Sequence, residues 1–341
     1  MPPAQNQHYV PKFILRNFLS NKRREQVHVF SKKTHVGFTT SIRNIMAERR
    51  FYDFRIGADY VASFEESICR FEGELLPAYR NLVDRRQFDG TPEEKAYLAA
   101  LVAFQFLRTR AQRDMFVQAE EQLADHLSKR GASLDDIKNY EPLTEEALTH
   151  LHIHHMRESL SSVAKIVSMK DFLLLSAPAG RSFYLSDNPV SIHNSKPNST
   201  PYGNLGLACK GIELYMPLCS DLALALWCPS LLKEIQDGEA EQKRLMAKIV
   251  LSLKLSSEAG SAEIKRSLES VKSETARVQS TLKHFADETP ILLPEESMDF
   301  QNSLQISQAR EHLVCPQGDF ELARRFAEEY PDHQGRKLSI G

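Results

Sequence analysis

Asp171-Phe172-Leu173-Leu174-Leu175-Ser176-Ala177-Pro178-Ala179-Gly180-Arg181-Ser182-Phe183-Tyr184-Leu185-Ser186 is where the periodicity of this chain changes. The segments before it repeat their apolar residues at helical spacing, whereas here two short apolar runs flank a Pro/Gly turn, the pattern of a hairpin. Gly211 to Met216 and Leu222 to Trp227 read as a second strand pair around a Cys219-Ser220-Asp221 turn. Consecutive strand pairs set among helices, not alternating with them, predict an α+β fold, mostly helical with a small, mainly antiparallel sheet.

Outward from that stretch the helices are easily bounded. Upstream, Thr144 with Glu145 and Glu146 in its first turn starts a helix that runs to about Met169. Gly90-Thr91-Pro92 opens a longer one to about Lys129, and Tyr60 to Arg86 reads as a third. Gln26 to Phe30 alternates as a strand, and Phe51 to Phe54 reads as another. Downstream, Leu231 to about Glu288 is helical and highly charged, with a break expected near Ala259-Gly260-Ser261; further helices are expected over Ser297–His312 and Asp319–Glu329. With no repeat and no low-complexity linker, residues 1–341 read as one domain carrying a charged helical subdomain at about 231–288.

Composition excludes several classes. Of 341 residues, 42% are hydrophobic and 26% charged, and the net charge of −2 gives no global case for nucleic acid or a membrane surface. The balance shifts locally: Lys12 to Arg50 holds ten basic residues against two acids, Glu25 and Glu48, a density that suits phosphates but more commonly marks a solvated face balanced by acids elsewhere in the fold. Five scattered cysteines without a CxxC pair favour a reducing compartment over a zinc ribbon. The longest apolar run, Tyr97 to Leu107, falls short of the roughly 20 residues that a membrane span requires. A cytoplasmic protein without a membrane partner is expected.

Candidate site residues are polar groups in apolar surroundings. Gln7-His8-Tyr9-Val10-Pro11 runs extended into the apolar turn Phe13-Ile14-Leu15, so the N-terminus should dock and not hang free. On the helix from Pro92, steps of about 100° per residue place Gln105, Arg108 and Gln112 in the middle of the apolar face of Leu98, Leu101 and Phe104, and place Arg110 and Arg113 away from it. A buried arginine needs an acidic partner, and Glu65 and Glu72 stack on the shoulder of the preceding helix. His150 and His154 share a helix face at ligand spacing after Glu146, with His152 between them and His155 next, although no HExxH is present. Ser186-Asp187-Asn188-Pro189 delivers a carboxylate and an amide into a turn, a common structural use of those residues as well.

These positions carry a resemblance. The opening Gln-His-Tyr-Val-Pro-x-Phe-x-Leu-x-Asn-Phe from Gln7, the helix with Glu65 and Glu72, Gln105-x-x-Arg108-Thr109, Ser186-Asp187-Asn188-Pro189-Val190 and a late Asn302 with Gln308 follow one order. In that order they resemble the bacterial domain-of-unknown-function family 4238 over about residues 6 to 315. The resemblance implies an arrangement of residues and no reaction.

Two functional expectations follow. One is a hydrolase-like site of nuclease or phosphodiesterase type for a phosphate-bearing or other anionic substrate. There His8 is the general acid or base, Glu65 or Glu72 with Asp187 holds a divalent cation or orients a water, and Arg108, Gln105 and Asn188 bind the anion. The other is a non-catalytic module binding a small anion or nucleic acid, in which the same residues form a structural network.

Overall fold

The computed structural model describes residues 6–56, 60–196, 203–255, 258–333 and 335–336. The N-terminus docks as expected. β1 (Asn6–His8) leads through extended Pro11 into a short helix α1 (Lys12–Leu15), which tightens into a 3-10 turn over Arg16–Phe18. Val10, Ile14, Leu15 and Phe18 are fully buried, so the apolar content of this segment anchors it in the main core. β2 (Gln26–Ser31) and β3 (Val36–Ser41) form a hairpin, and β4 (Ala47–Arg49) returns to pair antiparallel with β1, His8 opposite Ala47.

β5 (Asp53–Ile56) and β6 (Tyr60–Ser63) form a second small hairpin ahead of α2 (Glu65–Arg85), so the helix expected from Tyr60 starts five residues later. The helix expected over Pro92 to Lys129 is two helices, α3 (Pro92–Leu107) and α4 (Arg110–Ser128). Thr109 separates them: its backbone is extended, and its hydroxyl accepts the Gln112 N–H as an N-cap. α5 (Glu145–Ser168) touches α4 and lies mainly against α3.

The expected hairpin at Asp171 to Ser186 does not form. β7 (Asp171–Ser176) enters a five-stranded sheet, whereas β8 (Leu185–Ser186) belongs to another. The first sheet has the order β12-β7-β11-β10-β9, built with β9 (Ser191–Asn194), β10 (Ile212–Cys219), β11 (Leu222–Trp227) and β12 (Ile291–Leu292). β11 pairs along the whole of β7, from Leu222 opposite Ser176 to Trp227 opposite Asp171. One edge of β7 is thereby filled by β11, and the other takes β12 in parallel. β10 and β11 are the expected second strand pair.

α6 (Pro229–Leu255) and α7 (Glu258–Ala286) pack on each other; the charged stretch is two helices, as expected, with α7 beginning at Glu258, just before the Ala259-Gly260-Ser261 at which the break was placed. α8 (Glu295–Gln308), β13 (His312–Val314) and α9 (Glu321–Glu329) follow. β13 completes a four-stranded antiparallel sheet of order β3-β2-β13-β8. The class is therefore α+β, with its strands in several small, mostly antiparallel sheets where one was expected. Among the described residues no helix is long and apolar enough to cross a membrane.

Candidate functional site

His8, Glu72 and Arg108 come together, and the break between α3 and α4 is what joins them. Arg108 caps the end of α3 and is 1% exposed. Its Nη1 donates to Glu72 Oε1 on α2 at 2.5 Å, its Nη2 to the backbone carbonyl of His8 at 2.5 Å, and its Nε to the Tyr52 hydroxyl at 3.2 Å. The guanidinium also lies 4.6 Å from the centre of the Phe104 ring. Burial works against this cation, but Tyr52 and Glu72 outweigh it and raise its pKa, so Arg108 is permanently charged.

The neighbours are equally committed. Gln105 donates to the carbonyl of Tyr9 at 2.9 Å. Gln7 takes the Tyr52 N–H at 2.6 Å and donates to Asp53 and Ser63, tying β1 to the second hairpin. His8 is buried, and its Nε2–H donates to the Ile42 carbonyl at 2.8 Å. Burial, partly opposed by that bond and helped by Lys12 and Arg108, lowers its pKa to about 4. His8, expected as a general acid or base, thus sits neutral with its one proton already given to a backbone acceptor.

Glu65 lies at the start of α2 beside this network. Burial raises its carboxyl, Arg108 opposes and Glu72 adds to the shift. Its Oε1 accepts from the Cys69 thiol, while its Oε2, like Gln105 Oε1, is sealed with no partner among the described residues.

Asp187 and Asn188 belong to a second network. The Asp187 carboxylate accepts three backbone amides from the turn after α8: Arg310 at 2.8 Å, Glu311 at 2.8 Å and His312 at 2.9 Å. Burial pushes this carboxyl up, and those amides with His312 pull against it. Asn188 donates to the Gln308 carbonyl at 3.2 Å and accepts at 3.4 Å from the hydroxyl of Thr109, the residue after Arg108.

α8 presents three amides to the backbone that the hairpin would have used. Asn302 accepts from Tyr184 N–H and donates to Ser182 C=O. Gln305 accepts from Ser186 and donates to Pro189 C=O, and Gln308 closes both groups of Ile192 at 3.0 and 2.7 Å. Side-chain amides thereby pair backbone groups of residues 182–192 that the strand partners β13 and β10 leave open.

The metal expectation is corrected too. Glu65, Glu72 and Asp187 do not form a ligand cluster, and among the described residues no three His, Cys, Asp or Glu side chains are placed to hold a metal ion. Glu72 is committed to Arg108, and both Asp187 oxygens are occupied by amides. The histidines of α5 disperse. His150 meets the Arg55 carbonyl, His155 meets Ser159, and His152 is fully buried against α3.

An open cavity of about 290 Å³ lies elsewhere, between β4, the β5–β6 hairpin and the starts of α4 and α5. Arg49, Arg50, Arg55, Arg110 and Arg113 line it, with Glu48, Asp53, Glu145 and Glu146. Arg110 is neutralised by Glu48 at 3.1 Å and Asp114 at 2.8 Å, and Asp53 accepts from Gln7. Arg49, Arg50 and Arg55 form no ion pair among the described residues.

Arg113 is the unusual member. It is 3% exposed, stacks 3.6 Å from the centre of the Phe51 ring and donates to the Phe51 carbonyl at 2.5 Å. Its Nε donates to His152 Nδ1 at 3.2 Å. His152 Nε2 must give its proton to the Leu107 carbonyl at 2.9 Å, so Nδ1 is the free acceptor of a neutral ring. Burial, reinforced by Arg113, lowers the His152 pKa to about 3. Burial likewise lowers Arg113 to about 10, and among the described residues no carboxylate pairs with it.

Sequence reasoning placed Arg113 on the exposed side because it carried one helical phase from Leu101 through Thr109. The break resets that phase. Thr109-Arg110-Ala111-Gln112 is a Thr-x-x-Gln capping box, and that signal would have found it.

The fold is that of an α+β protein whose two largely buried polar networks join remote backbone segments through side-chain hydrogen bonds. Over residues 6–316 the chain matches the family described as "Protein of unknown function (DUF4238)", and it belongs to that family. Comparison with curated proteins and with solved structures gives no match.

Proposed function

We propose that this protein is a non-catalytic module that binds a small anionic ligand in the arginine-lined cavity, the His8–Glu72–Arg108 and Asp187 networks being structural. The observation that carries the proposal is Arg113, a buried cation on the cavity wall that no carboxylate among the described residues pairs with. An unpaired buried charge costs several kcal/mol, and a bound anion is the simplest compensation. Arg49, Arg50 and Arg55 add positive charge at the same opening. A volume of about 290 Å³ suits a small molecule better than a nucleic-acid strand.

The nuclease or phosphodiesterase reading is set aside because His8, Glu72, Arg108 and Asp187 are each committed to a protein partner, and no divalent cation is part of the proposal. We place the protein in a reducing, cytoplasmic setting, which suits five free cysteines of which Cys219 and Cys315 are buried.

Calorimetric titration with inorganic pyrophosphate tests the reading. Saturable binding is expected, weakening as ionic strength rises. The Arg49→Ala/Arg50→Ala variant should weaken it about tenfold, in line with the loss of one or two exposed charge-assisted hydrogen bonds, without changing the melting temperature. Arg113→Lys should weaken it at least as much. No binding, or binding indifferent to both variants, refutes the proposal.

A further inference from the structure

β3 is an edge strand without the usual defences. In the sheet of order β3-β2-β13-β8 it pairs with β2 along all six residues, from Val36 opposite Ser31 to Ser41 opposite Gln26. Among the described residues no strand pairs with its outer side. Its sequence, Val36-Gly37-Phe38-Thr39-Thr40-Ser41, has no charge and no proline and is rich in β-formers. Exposed edges are normally blunted by lysine, proline or a bulge, because their free N–H and C=O groups template another chain.

The side chains point the same way. Val36 is 55% exposed and Phe38 is 40% exposed. Phe38 is opposite Val29, which is fully buried in the main core, so the apolar row of the sheet continues to the edge and stops in solvent. Gly37 faces the other side of the sheet, where Phe320 and Arg324 of the α9 region cover it. An added strand would extend the row of Val29 and Phe38 without disturbing α9.

Charge selects the occupant. Lys33 and His35 stand at one end of β3, and Arg43 and the Lys22-Arg23-Arg24 turn at the other, all exposed. Arg324 Nη2 lies 4.0 Å from where a Cβ on Gly37 would be. None of these lysines and arginines forms an ion pair among the described residues. Of the nearby acids, Glu25 is held by Arg16 at 2.9 Å, and Glu311 sits between Arg310 and His312. A second copy pairing through β3 would bring two such basic ends together, so it is disfavoured. We propose that β3 is a docking edge for an extended, acidic peptide segment of a partner protein, which adds to the sheet as a fifth strand.

The probe is a fluorescein-labelled peptide of sequence Glu-Glu-Val-Thr-Val-Thr-Val-Glu-Glu, followed by anisotropy against the full chain. Three controls accompany it: the same peptide with lysine for each glutamate, a copy N-methylated at alternate residues, and the variant Val36→Lys/Phe38→Lys. Saturable binding of the acidic peptide is expected. Each control should lose at least tenfold in affinity, since each removes charge matching, backbone pairing or the open edge. Val36 is largely exposed, but Phe38 also packs edge-on against the His312 ring, so circular dichroism at the assay temperature confirms that the variant is folded.

Equal binding of the acidic and lysine peptides overturns the proposal, as does undiminished binding of the N-methylated peptide or by the edge variant. It also falls if the acidic peptide does not bind. Sedimentation showing a dimer that Val36→Lys/Phe38→Lys dissociates would make a second copy the occupant and overturn it as well.

Discussion

Asp187→Asn separates a structural carboxylate from a reactive one. In the native protein one carboxylate accepts three buried amides, at 2.8, 2.8 and 2.9 Å. Asparagine keeps one oxygen, which can serve Glu311 and His312, and turns an NH2 toward the Arg310 N–H. One amide is then orphaned, at a cost of about 1–3 kcal/mol, and two bonds fall from charged to neutral strength, at roughly 1 kcal/mol each. Relief of the buried charge, which raises this carboxyl, offsets part of that loss. A net destabilisation of about 3 kcal/mol follows, which lowers Tm by about 6 °C at roughly 2 °C per kcal/mol. Asp187→Ala orphans all three amides with nothing in their place and should lower Tm further, by about 10 °C. Thermal unfolding followed by circular dichroism measures both. If both variants melt within about 1 °C of the parent, the three amides do not depend on the carboxylate, and the structural assignment of this network is wrong.

Three other perturbations test the remaining polar groups. Glu65 has a folded-state pKa above its ordinary value, so the folded chain holds its proton longer and loses stability as pH rises through the carboxylate range. Glu65→Gln should remove that loss, and the Tm difference from the parent should grow in favour of the variant between acid and neutral pH. His8 at about 4 and His152 at about 3 both lie below the ordinary 6.5. The stability they confer is complete above about pH 6.5 and is lost as pH falls toward those values, at up to about 1.4 kcal/mol per unit for each ring. Urea titrations from pH 7 to 4 should show it, and a flat profile would contradict the buried, neutral assignment. Gln308→Met preserves shape but leaves both backbone groups of Ile192 unpaired; a cost of about 2–4 kcal/mol is expected, with faster hydrogen exchange at the Ile192 amide. Unchanged exchange there would show that the ladder from α8 is not what secures residues 182–192.

Local chemistry determined much of this protein before any tertiary contact. Pro11 and the apolar residues behind it specified a docked N-terminus, because Ile14, Leu15 and Phe18 could not stay in water. Thr91 and Thr144 marked helix starts through caps that need only the next turn. An arginine in the apolar face of α3 required a carboxylate, and Glu72 supplies it.

What the tertiary structure decided was where each strand found its partner and which polar heads remained free. β7 and β8 are neighbours in sequence with the composition of a hairpin. β11 fills one edge of β7, and Asn302, Gln305 and Gln308 take the backbone that leads into β8 and beyond it to Ile192. Those partners are remote in the chain, so no local pattern encodes the choice. The break at Thr109 had a local signal, but its consequence did not. It turns Arg113 under Phe51 and onto a cavity wall, and it leaves Arg108 to close on His8 and Glu72. Residue type established that these groups needed partners; only the packing of distant elements determined that His8, Asp187 and Arg108 found theirs within the protein, while Arg113 found no carboxylate among the described residues.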